Sequence, residues 1–507
     1  MQWLTDSIPT VLQAIRPTLT ALYLAILAAV SMYGLYRYWL VWTYYRSRRR
    51  VPRPMDRFER SALPRVTIQL PMFNERFVAE RAIEAACGVA YPADRLQIQV
   101  LDDSTDETVQ IAQLCVQRMR SAGHDIEYLH RTNRDGFKAG ALEAGMASAT
   151  GDFIAIFDAD FVAPKSILKR TIHYFTDERV GMVQACWEHL NREDSLLTRG
   201  QAVFLDGHFL IEHTARNRSG RWMNFNGTAG IWRRQAIETS GGWQHDTLTE
   251  DMDLSYRAQI IGWKFVYLPR TKCPAELPPE MNAFKSQQHR WTKGSIQTAI
   301  KLLPSIFRSN ASLSTKIEAF FHMTNPVVHV LVVMLTLFFF PAYYLNLRPF
   351  DDQTVPWWLF SATLFAMATV SASSFYLIAM RERRMGFWRS MTYLPLLMSL
   401  GIGISLNNAK AVIEALVGYR TGFVRTPKYN STMSNRRWRD HLTAVGLGGG
   451  YSINLVELLF SVYVIGCMTV LCGSHLAFVI TVPFLMMFAA GYAYVGVSSI
   501  LANPKLN

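Results

Sequence analysis

FIAIFDADF, residues 153–161, is the stretch that decides the fold. Its first five residues, FIAIF, are all apolar and have the length of a strand that is buried on both faces. Asp158 and Asp160 follow where that strand must end. A lone Asp after a strand is more often a turn former or helix cap than a ligand. The function of these two residues therefore depends on what else reaches the same edge of the sheet.

Neighbouring segments repeat the pattern of strand and helix. RVTIQLPMF at 65–73, LQIQVLDDS at 96–104 and DIEYLHR at 125–131 are β-rich, and KAGALEAGMASA at 138–149 has a helical pattern. Such alternation over residues 65–280 predicts a mainly parallel, Rossmann-like sheet with crossover helices. Ligands of these α/β sheets bind beyond the carboxyl ends of the strands.

Acidic residues stand at three strand or loop ends of this kind. Converging carboxylates repel one another unless they share a cation or a proton, and hard oxygen ligands suit Mg²⁺ or Mn²⁺. Because Mg²⁺ usually takes one or two protein carboxylates together with substrate phosphates, the pattern indicates a metal-bound diphosphate. The three acidic groups are Asp102 with Asp103, Asp158 with Asp160, and Glu250 with Asp251.

A lysine opens the predicted helix at 138–149. Lys138 in RDGFKAGAL stands near Gly136 and Gly140, a setting in which backbone N–H groups and an ammonium can face an anion. The alternative is a lysine that simply faces solvent.

Composition separates a polar part of the chain from a membrane part. Half of the 507 residues are hydrophobic and 18% are charged, against roughly 25% charged in an average soluble protein. The net charge of +13 comes from basic residues beside apolar stretches, which indicates membrane topology and not nucleic-acid binding. The six cysteines lack CxxC spacing, so we expect reduced, buried thiols and no metal role.

The first apolar stretch, residues 19–42, has the length of a membrane span. The basic run YYRSRRRVPRPMDRFER follows it, which predicts that the chain is cytosolic from residue 43 onward and that the N-terminus lies outside. A cleaved signal peptide would carry its basic residues in front of the apolar core, so we expect this span to be retained.

Further apolar stretches follow the polar region. If all of them crossed, the basic segment at 421–440 would lie outside the cell, against the positive-inside rule. We therefore expect 388–406 to lie along the interface, which leaves five spans, with six as the alternative. The apolar stretches are 320–346, 357–380, 388–406, 452–473 and 475–499.

These observations divide the chain into eight parts. They are the outer N-terminus 1–18, a span at 19–42, a basic linker at 43–64, the α/β domain at 65–280, interfacial helices at 281–319, two spans within 320–380, an interfacial helix and loop at 381–447, and two spans with the C-terminus at 448–507.

The motifs resemble those of cellulose-synthase-like membrane glycosyltransferases of family two (GT2). IQLPMFNE, IQVLDDSTD, FKAGAL, DAD, NFNGTAGIWRR, TEDMDLSYRAQIIGWKF and QQHRW occur in that family's order, and the match spans nearly the whole chain. QLPMFNE and LDDSTD are closest to the mannan and glucan synthases. The resemblance implies a cytosolic GT-A domain, interfacial helices and an α-helical transmembrane domain.

The resemblance also implies roles for the polar motifs. Asn74 and Glu75, with Asp102 and Asp103, would hold the base and ribose of a nucleotide sugar, and Lys138 would contact its phosphates.

The remaining acidic motifs would carry out the chemistry. Asp158 and Asp160 would bind Mg²⁺ or Mn²⁺ beside the donor phosphates, with Asp160 the first choice as direct ligand, and the metal would neutralise the leaving diphosphate. Glu250 and Asp251 would be the catalytic pair, with Asp251 as the general base that deprotonates the attacking hydroxyl.

QQHRW contains the motif QxxRW of the family. Arg290 would bind the donor diphosphate, because a guanidinium offers a planar fork of donors, and Gln287 would bond sugar hydroxyls or the diphosphate. Trp291 would stack on the acceptor sugar. On a helix, Gln287 and Trp291 would share one face. The alternative is an amphipathic interfacial helix whose Trp and Arg only anchor at the headgroups.

Two loops complete the expected site. Asn226, Gly227 and Thr228 of FNGTAG would approach the acceptor, although the glycines could instead be simple turn residues. GFVRTPK at 422–428 resembles a gating loop, whose Arg425, Thr426 and Lys428 would contact the donor phosphates.

These observations predict a processive, inverting β-glycan synthase in the plasma membrane. It would transfer hexose from UDP-glucose, with GDP-mannose second, to a polysaccharide acceptor and pass the polymer across the bilayer; any accessory export protein is unknown. One alternative is a lipid glycosyltransferase that acts once. Another is a transporter or scaffold, which the near absence of charges in the spans disfavours.

Overall fold

The computed structural model of the protein describes residues 2–345, 347, 363–364, 366–419, 451–471 and 475–502. The chain forms two compact units. The sheet unit comprises Thr43–Met323 and Gly418–Gly446, and the helical unit comprises Met1–Trp42, Thr324–Val417 and Leu447–Asn507.

A seven-stranded sheet forms the centre of the sheet unit, in the order β3-β2-β1-β4-β6-β5-β7. β1 to β4 run parallel, β6 is antiparallel to β4 and β5, and β5 is parallel to β7. The expected α/β, GT-A-like fold is confirmed, and the sheet is mixed through β6. The strands are β1 Val66–Met72, β2 Leu96–Asp102, β3 Ile126–His130, β4 Phe153–Ile156, β5 Val180–His189, β6 Gly230–Arg233 and β7 Lys264–Ala275.

Helices cover both faces of the sheet, which is why β4 is apolar throughout. Phe153 and Ala155 pack into one hydrophobic core, and the alternating Ile154 and Ile156 pack into the other. After α1, Gln2–Ser47, the helices of this unit are α2 Ala79–Cys87, α3 Thr108–Ser121, α4 Phe137–Met146, α5 Ile167–Thr171, α6 Leu196–Asp206, α7 Thr214–Arg218, α8 Arg234–Thr239, α9 Glu250–Ile260, α10 Met281–Arg308 and α11 Leu313–Thr324.

Shorter helical turns complete the sheet unit. A π-helical turn at Gly207–His213 lies between α6 and α7, and three 3₁₀ turns lie at Arg60–Ala62, Ala93–Arg95 and Ile172–Thr176. The five described cysteines, Cys87, Cys115, Cys186, Cys273 and Cys467, are buried free thiols, as expected.

The helical unit consists of long apolar helices. They are α1 as far as Trp42, α12 Val327–Tyr344, a π-helical turn Ala366–Val370 leading into α13 Ser371–Glu382, α14 Phe387–Gly403, α15 Ser405–Leu416, α16 Tyr451–Leu471 and α17 His475–Leu501. Within α16 and α17, Ser461 donates to the carbonyl of Ala489 at 2.9 Å, and Tyr492 contacts Thr336 of α12 at 3.1 Å.

Four helical stretches among the described residues are long and apolar enough to cross a membrane. They are Ala14–Ser47, Phe387–Leu416, Ile453–Val470 and Val482–Leu501, and Leu313–Thr324 with Val327–Ala342 would make a fifth. The stretch expected at the interface, 388–406, thus belongs to a helical segment that also has the length of a span, so its placement stays a prediction. Residues 357–362 of another expected span lie outside the described residues.

Candidate active site

Strand ends from the whole width of the sheet meet at one edge. The carboxyl ends of β1, β2, β4, β5 and β7 lie there, together with the amino end of the antiparallel β6. A cavity at this edge is closed by the first turn of α9 and by one face of α10. Of the residues expected in the site, twelve line it: Glu75, Asp103, Lys138, Asp158, Asp160, Asn226, Gly227, Glu250, Asp251, Gln287, Arg290 and Trp291.

Lys138 lies in the first turn of α4 and binds two other parts of the cavity. Its ammonium forms an ion pair with Asp158 and donates to the carbonyl of Gly227 at 2.9 Å. Burial disfavours the charged lysine, but the carboxylates of Asp158, Glu250 and Asp251 outweigh burial and raise the pKa of Lys138. The ammonium is therefore charged, and the solvent-facing alternative does not apply.

The loop before β6 lies against the acidic groups. Thr228 accepts a hydrogen bond at 2.9 Å from the backbone N–H of Asp158, and Gly227 has a φ of +78°. A Cβ on Gly227 would lie 3.0 Å from Oδ2 of Asp251. Glycine here allows both the left-handed backbone and the close approach of Asp251.

Asp251 lies in the first turn of α9, and its Oδ1 accepts from the backbone N–H of Met252 at 2.8 Å. Burial, followed by the charge of Glu250, raises the pKa of Asp251 to about 7, although Lys138 and Arg290 act in the opposite direction. A carboxylate with a pKa near neutrality can accept a proton during turnover and release it afterwards.

Helix α10 brings the QxxRW residues to the cavity. Burial lowers the pKa of Arg290, and the carboxylates of Glu250, Asp158, Asp251 and Asp160 offset part of that effect, so this guanidinium faces the acidic groups.

An aromatic pair forms another wall of the cavity. The rings of Trp291 and Trp187 lie 6.3 Å apart, and Trp187 also packs on Phe161 at 5.1 Å. Gln287 lines the cavity too, so the two ends of the motif share one face of α10. This placement disfavours the alternative in which Trp291 only anchors an interfacial helix.

The side chains suit a divalent cation bound together with a diphosphate. Seven carboxylates and three cationic side chains line the cavity, so an anionic diphosphate would be repelled without a compensating cation. No cluster of three or more His, Cys, Asp or Glu side chains with metal-binding geometry occurs among the described residues. Asp158 and Asp160 thus fit the mode in which phosphate oxygens and water complete the coordination shell.

Some expected site residues do not line the cavity. Asp102 is fully buried and accepts from Tyr128 at 2.7 Å and from the N–H of Ser104 at 2.9 Å. Asn74 has a φ of +53° and accepts from the N–H of Thr105 at 2.9 Å, which ties the loops after β1 and β2 together. Thr228 does not line the cavity, but its hydroxyl accepts the hydrogen bond from the backbone N–H of Asp158. Arg425, Thr426 and Lys428 lie outside the described residues.

The lining residues that the sequence did not predict include Trp187, His189, Glu276 and Arg134. Trp187 and His189 end β5, Glu276 follows β7, and Arg134 lies in the loop before α4. Glu276 is held by Arg81 at 2.6 Å. The strand-end rule that selected Asp103 and Asp158 would have found the first three, had β5 and β7 been recognised as strands of the same sheet.

The chain is similar in sequence to known glycosyltransferases. Residues 64–294 match the family described as "Glycosyltransferase like family 2". The chain is 34% identical over 450 residues to "Glucomannan 4-beta-mannosyltransferase 9" of Arabidopsis thaliana, which covers 86% of this chain and 81% of that protein. It is 43% identical over 278 residues to "Glucomannan 4-beta-mannosyltransferase 2" of the same plant, which covers 53% and 52%.

The fold also occurs in a solved mannosyltransferase structure. The mannosyltransferase PcManGT from Pyrobaculum calidifontis, solved in complex with GDP-Man and Mn²⁺, superposes with a TM-score of 0.52 over 79% of this chain and 100% of that chain. At 20% identity, this likeness concerns the fold alone.

The sheet and its cavity define a glycosyltransferase of the GT-A type. Its apolar helices make it a membrane protein. The chain belongs to the cellulose-synthase-like glycosyltransferases of family two, as the extent and identity of the match to its plant relatives show.

Proposed function

We propose that this enzyme transfers mannosyl residues from GDP-mannose to the non-reducing end of a β-linked mannan or glucomannan. The observation that carries the proposal is the convergence of Asp158, Asp160, Asp251, Arg290 and Trp291 on one cavity. The relatives' names favour mannose as the sugar, so the order expected from the sequence, UDP-glucose before GDP-mannose, is reversed.

Each side chain has a part in the proposed reaction. Asp251, which lies beside Gly227, removes the proton of the attacking sugar hydroxyl. Arg290 and Lys138 bind the diphosphate, and their positive charges stabilise the negative charge that develops as it leaves. A divalent cation held by Asp158 and Asp160 would supply further charge stabilisation when bound.

The aromatic wall is proposed to hold the acceptor. The C–H faces of a pyranose are apolar, so Trp291 offers a stacking surface that tolerates translation of the chain by one sugar after each transfer. Processive addition and passage of the product across the plasma membrane through the helical unit belong to this proposal.

A donor panel tests the proposal. The purified full chain is incubated with Mn²⁺ or Mg²⁺ and, in turn, GDP-mannose, GDP-glucose, UDP-glucose and UDP-N-acetylglucosamine. We expect turnover of GDP-mannose that EDTA abolishes, and an insoluble product that endo-β-1,4-mannanase digests. Fastest turnover of UDP-glucose, with a product that only a cellulase digests, would overturn the choice of sugar.

Product partition tests the alternative of a single transfer to lipid. Labelled sugar in the chloroform phase, with none in polymer, would identify a lipid glycosyltransferase. Asp251 and the cavity would serve either reaction, so the length of the product distinguishes them.

A further inference from the structure

A cluster of buried polar side chains surrounds Asn226, outside the groups that the proposed reaction uses. His208 and His213 lie on the π-helical turn Gly207–His213, and both contact the amide of Asn226. Nε2 of His213 is 2.7 Å from Nδ2 of Asn226, and Nε2 of His208 is 3.1 Å from its Oδ1. Two histidines thus hold one amide that lines the cavity.

The contact with Asn224 determines which of the two terminal side-chain atoms of Asn226 is the oxygen. Nδ2 of Asn224 donates to the carbonyl of Phe225 at 2.9 Å. Because a carbonyl oxygen can only accept, the side-chain atom of Asn224 that faces it must be the nitrogen and not the oxygen. The same nitrogen donates to Oδ1 of Asn226 at 2.9 Å. Asn226 must therefore present its oxygen to Asn224 and His208 and its amino group to His213.

This orientation of Asn226 determines the hydrogen-bonding role of the Nε2 atom of each histidine. Nε2 of His213 lies 2.7 Å from Nδ2 and 3.2 Å from Oδ1 of Asn226; because an amide nitrogen can only donate, the shorter contact makes Nε2 the acceptor and places the ring proton on Nδ1. Burial, with the nearby His208 and Arg216, holds the pKa of His213 well below its usual value. His208 donates from Nε2, and its Nδ1 lies 3.1 Å from Oε2 of Glu212.

Buried charges anchor Glu212 in turn. Arg216 lies 3.4 Å from Glu212 and donates from Nε to Glu318 of α11 at 2.6 Å, and both Arg216 and Glu318 are almost completely buried. The ring of His208 is thereby held between a fixed carboxylate and the amide of Asn226.

These contacts leave one amide hydrogen of Asn226 for a ligand in the cavity. Oδ1 of Asn226 already accepts two hydrogen bonds, and Nδ2 has given one of its two hydrogens to His213. Only an N–H is left for a ligand. The adjoining Gly227 contacts Lys138 and lies against Asp251, so the orientation of Asn226 is set directly beside the proposed base.

We propose that His208, braced by Glu212, is a positioning residue that fixes the amide of Asn226 so that an acceptor hydroxyl meets an N–H donor there. Without His208, the amide can turn and present its oxygen. The inference rests on the proposed transfer to a sugar acceptor.

A double-mutant cycle tests it, with His208→Ala, Asn226→Ala and the two combined. We expect His208→Ala to lower the rate of transfer to acceptor about tenfold to a hundredfold, as for a buried acceptor that loses its hydrogen-bond donor. The change should add little, within about twofold, when Asn226 is already alanine. His208→Gln keeps an N–H donor and should restore most of the rate.

Controls separate positioning from a loss of folding. His173 accepts from the N–H of Phe58 and does not line the cavity, so His173→Ala should leave transfer unchanged. The Kd for GDP and the melting temperature should stay near the wild-type values in His208→Gln. Independent, additive effects of His208→Ala and Asn226→Ala would overturn the inference.

A wrong choice of sugar donor can be distinguished from a wrong role for His208. If the donor is wrong, the wild-type protein fails to turn over GDP-mannose in the donor panel. The cycle is then run with the nucleotide sugar that the wild type does use, and its outcome still decides the role of His208.

Discussion

Asp251 shows how a residue acquires its chemistry from its surroundings. Its pKa of about 7 comes first from burial, which only the fold supplies, and second from the charge of Glu250, its neighbour in the TED motif. The base form of a group with that pKa rises from about one tenth at pH 6 to about nine tenths at pH 8.

The rate should therefore rise between pH 6 and pH 8 with a midpoint near 7. Because the negative charge of Glu250 raises the pKa of Asp251, Glu250→Gln should move the midpoint to lower pH, whereas Asp251→Asn should abolish turnover at every pH. Initial rates at saturating donor check this. An unchanged midpoint in Glu250→Gln would contradict the role of that charge.

Gly227 permits a second prediction at the scale of a residue. Gly227→Ala places a side chain at a φ of +78° and 3.0 Å from Asp251, whereas Gly220→Ala meets a similar φ of +75° with no atom within 4 Å. Both variants should lose roughly 1–2 kcal/mol of stability, the cost of a left-handed residue. Only Gly227→Ala should also lose activity.

Thermal melting and initial rates distinguish these two effects. Equal losses of activity in Gly227→Ala and Gly220→Ala would mean that backbone strain alone matters, and that the contact with Asp251 does not.

Helices α9 and α10 bring their cavity-lining residues together by close packing. A Cβ on Gly294 of α10 would lie 2.5 Å from Cγ2 and 2.9 Å from the backbone N of Thr249, directly before α9. Glycine at this position therefore lets Arg290 and Trp291 approach Asp251.

Gly294→Ala should separate these two helices. Alanine favours an isolated helix by about 1 kcal/mol over glycine, yet here we expect a lower melting temperature and a markedly lower rate. Gly466→Ala in α16, where no atom lies within 4 Å, is the matched control and should be neutral or stabilising. A stable, fully active Gly294→Ala would refute the packing argument.

The strands show what can be predicted at the scale of an element. The β-rich runs at 65–73 and 96–104 correctly predict β1 and β2, but they do not indicate that the glutamines in these strands are buried. Gln69 and Gln99 are in fact fully buried and bonded to each other at 3.0 Å across the two strands. Helix α4 packs over these side chains, and Nε2 of Gln69 contacts the carbonyl of Leu142 in that helix.

The whole molecule joins a transferase unit to a set of apolar helices. If the product crosses the bilayer, proteoliposomes that receive GDP-mannose from outside should accumulate polymer that endo-β-mannanase cannot digest until detergent is added. Product that the enzyme digests before detergent would contradict translocation, while leaving the transfer reaction intact. The distribution of labelled polymer before and after detergent measures this directly.

By itself, the sequence determined the α/β fold, the apolar helices and the acidic motifs, because periodicity and strand-end chemistry are local properties of the chain. Only the tertiary structure decided which of those carboxylates face the cavity. Asp102 and Asp103 are neighbours in sequence, yet Asp102 is buried against Tyr128 while Asp103 lines the cavity, since successive residues at a strand end point in different directions. The pKa of Asp251, the aromatic wall and the histidines around Asn226 likewise depend on contacts between segments far apart in the chain.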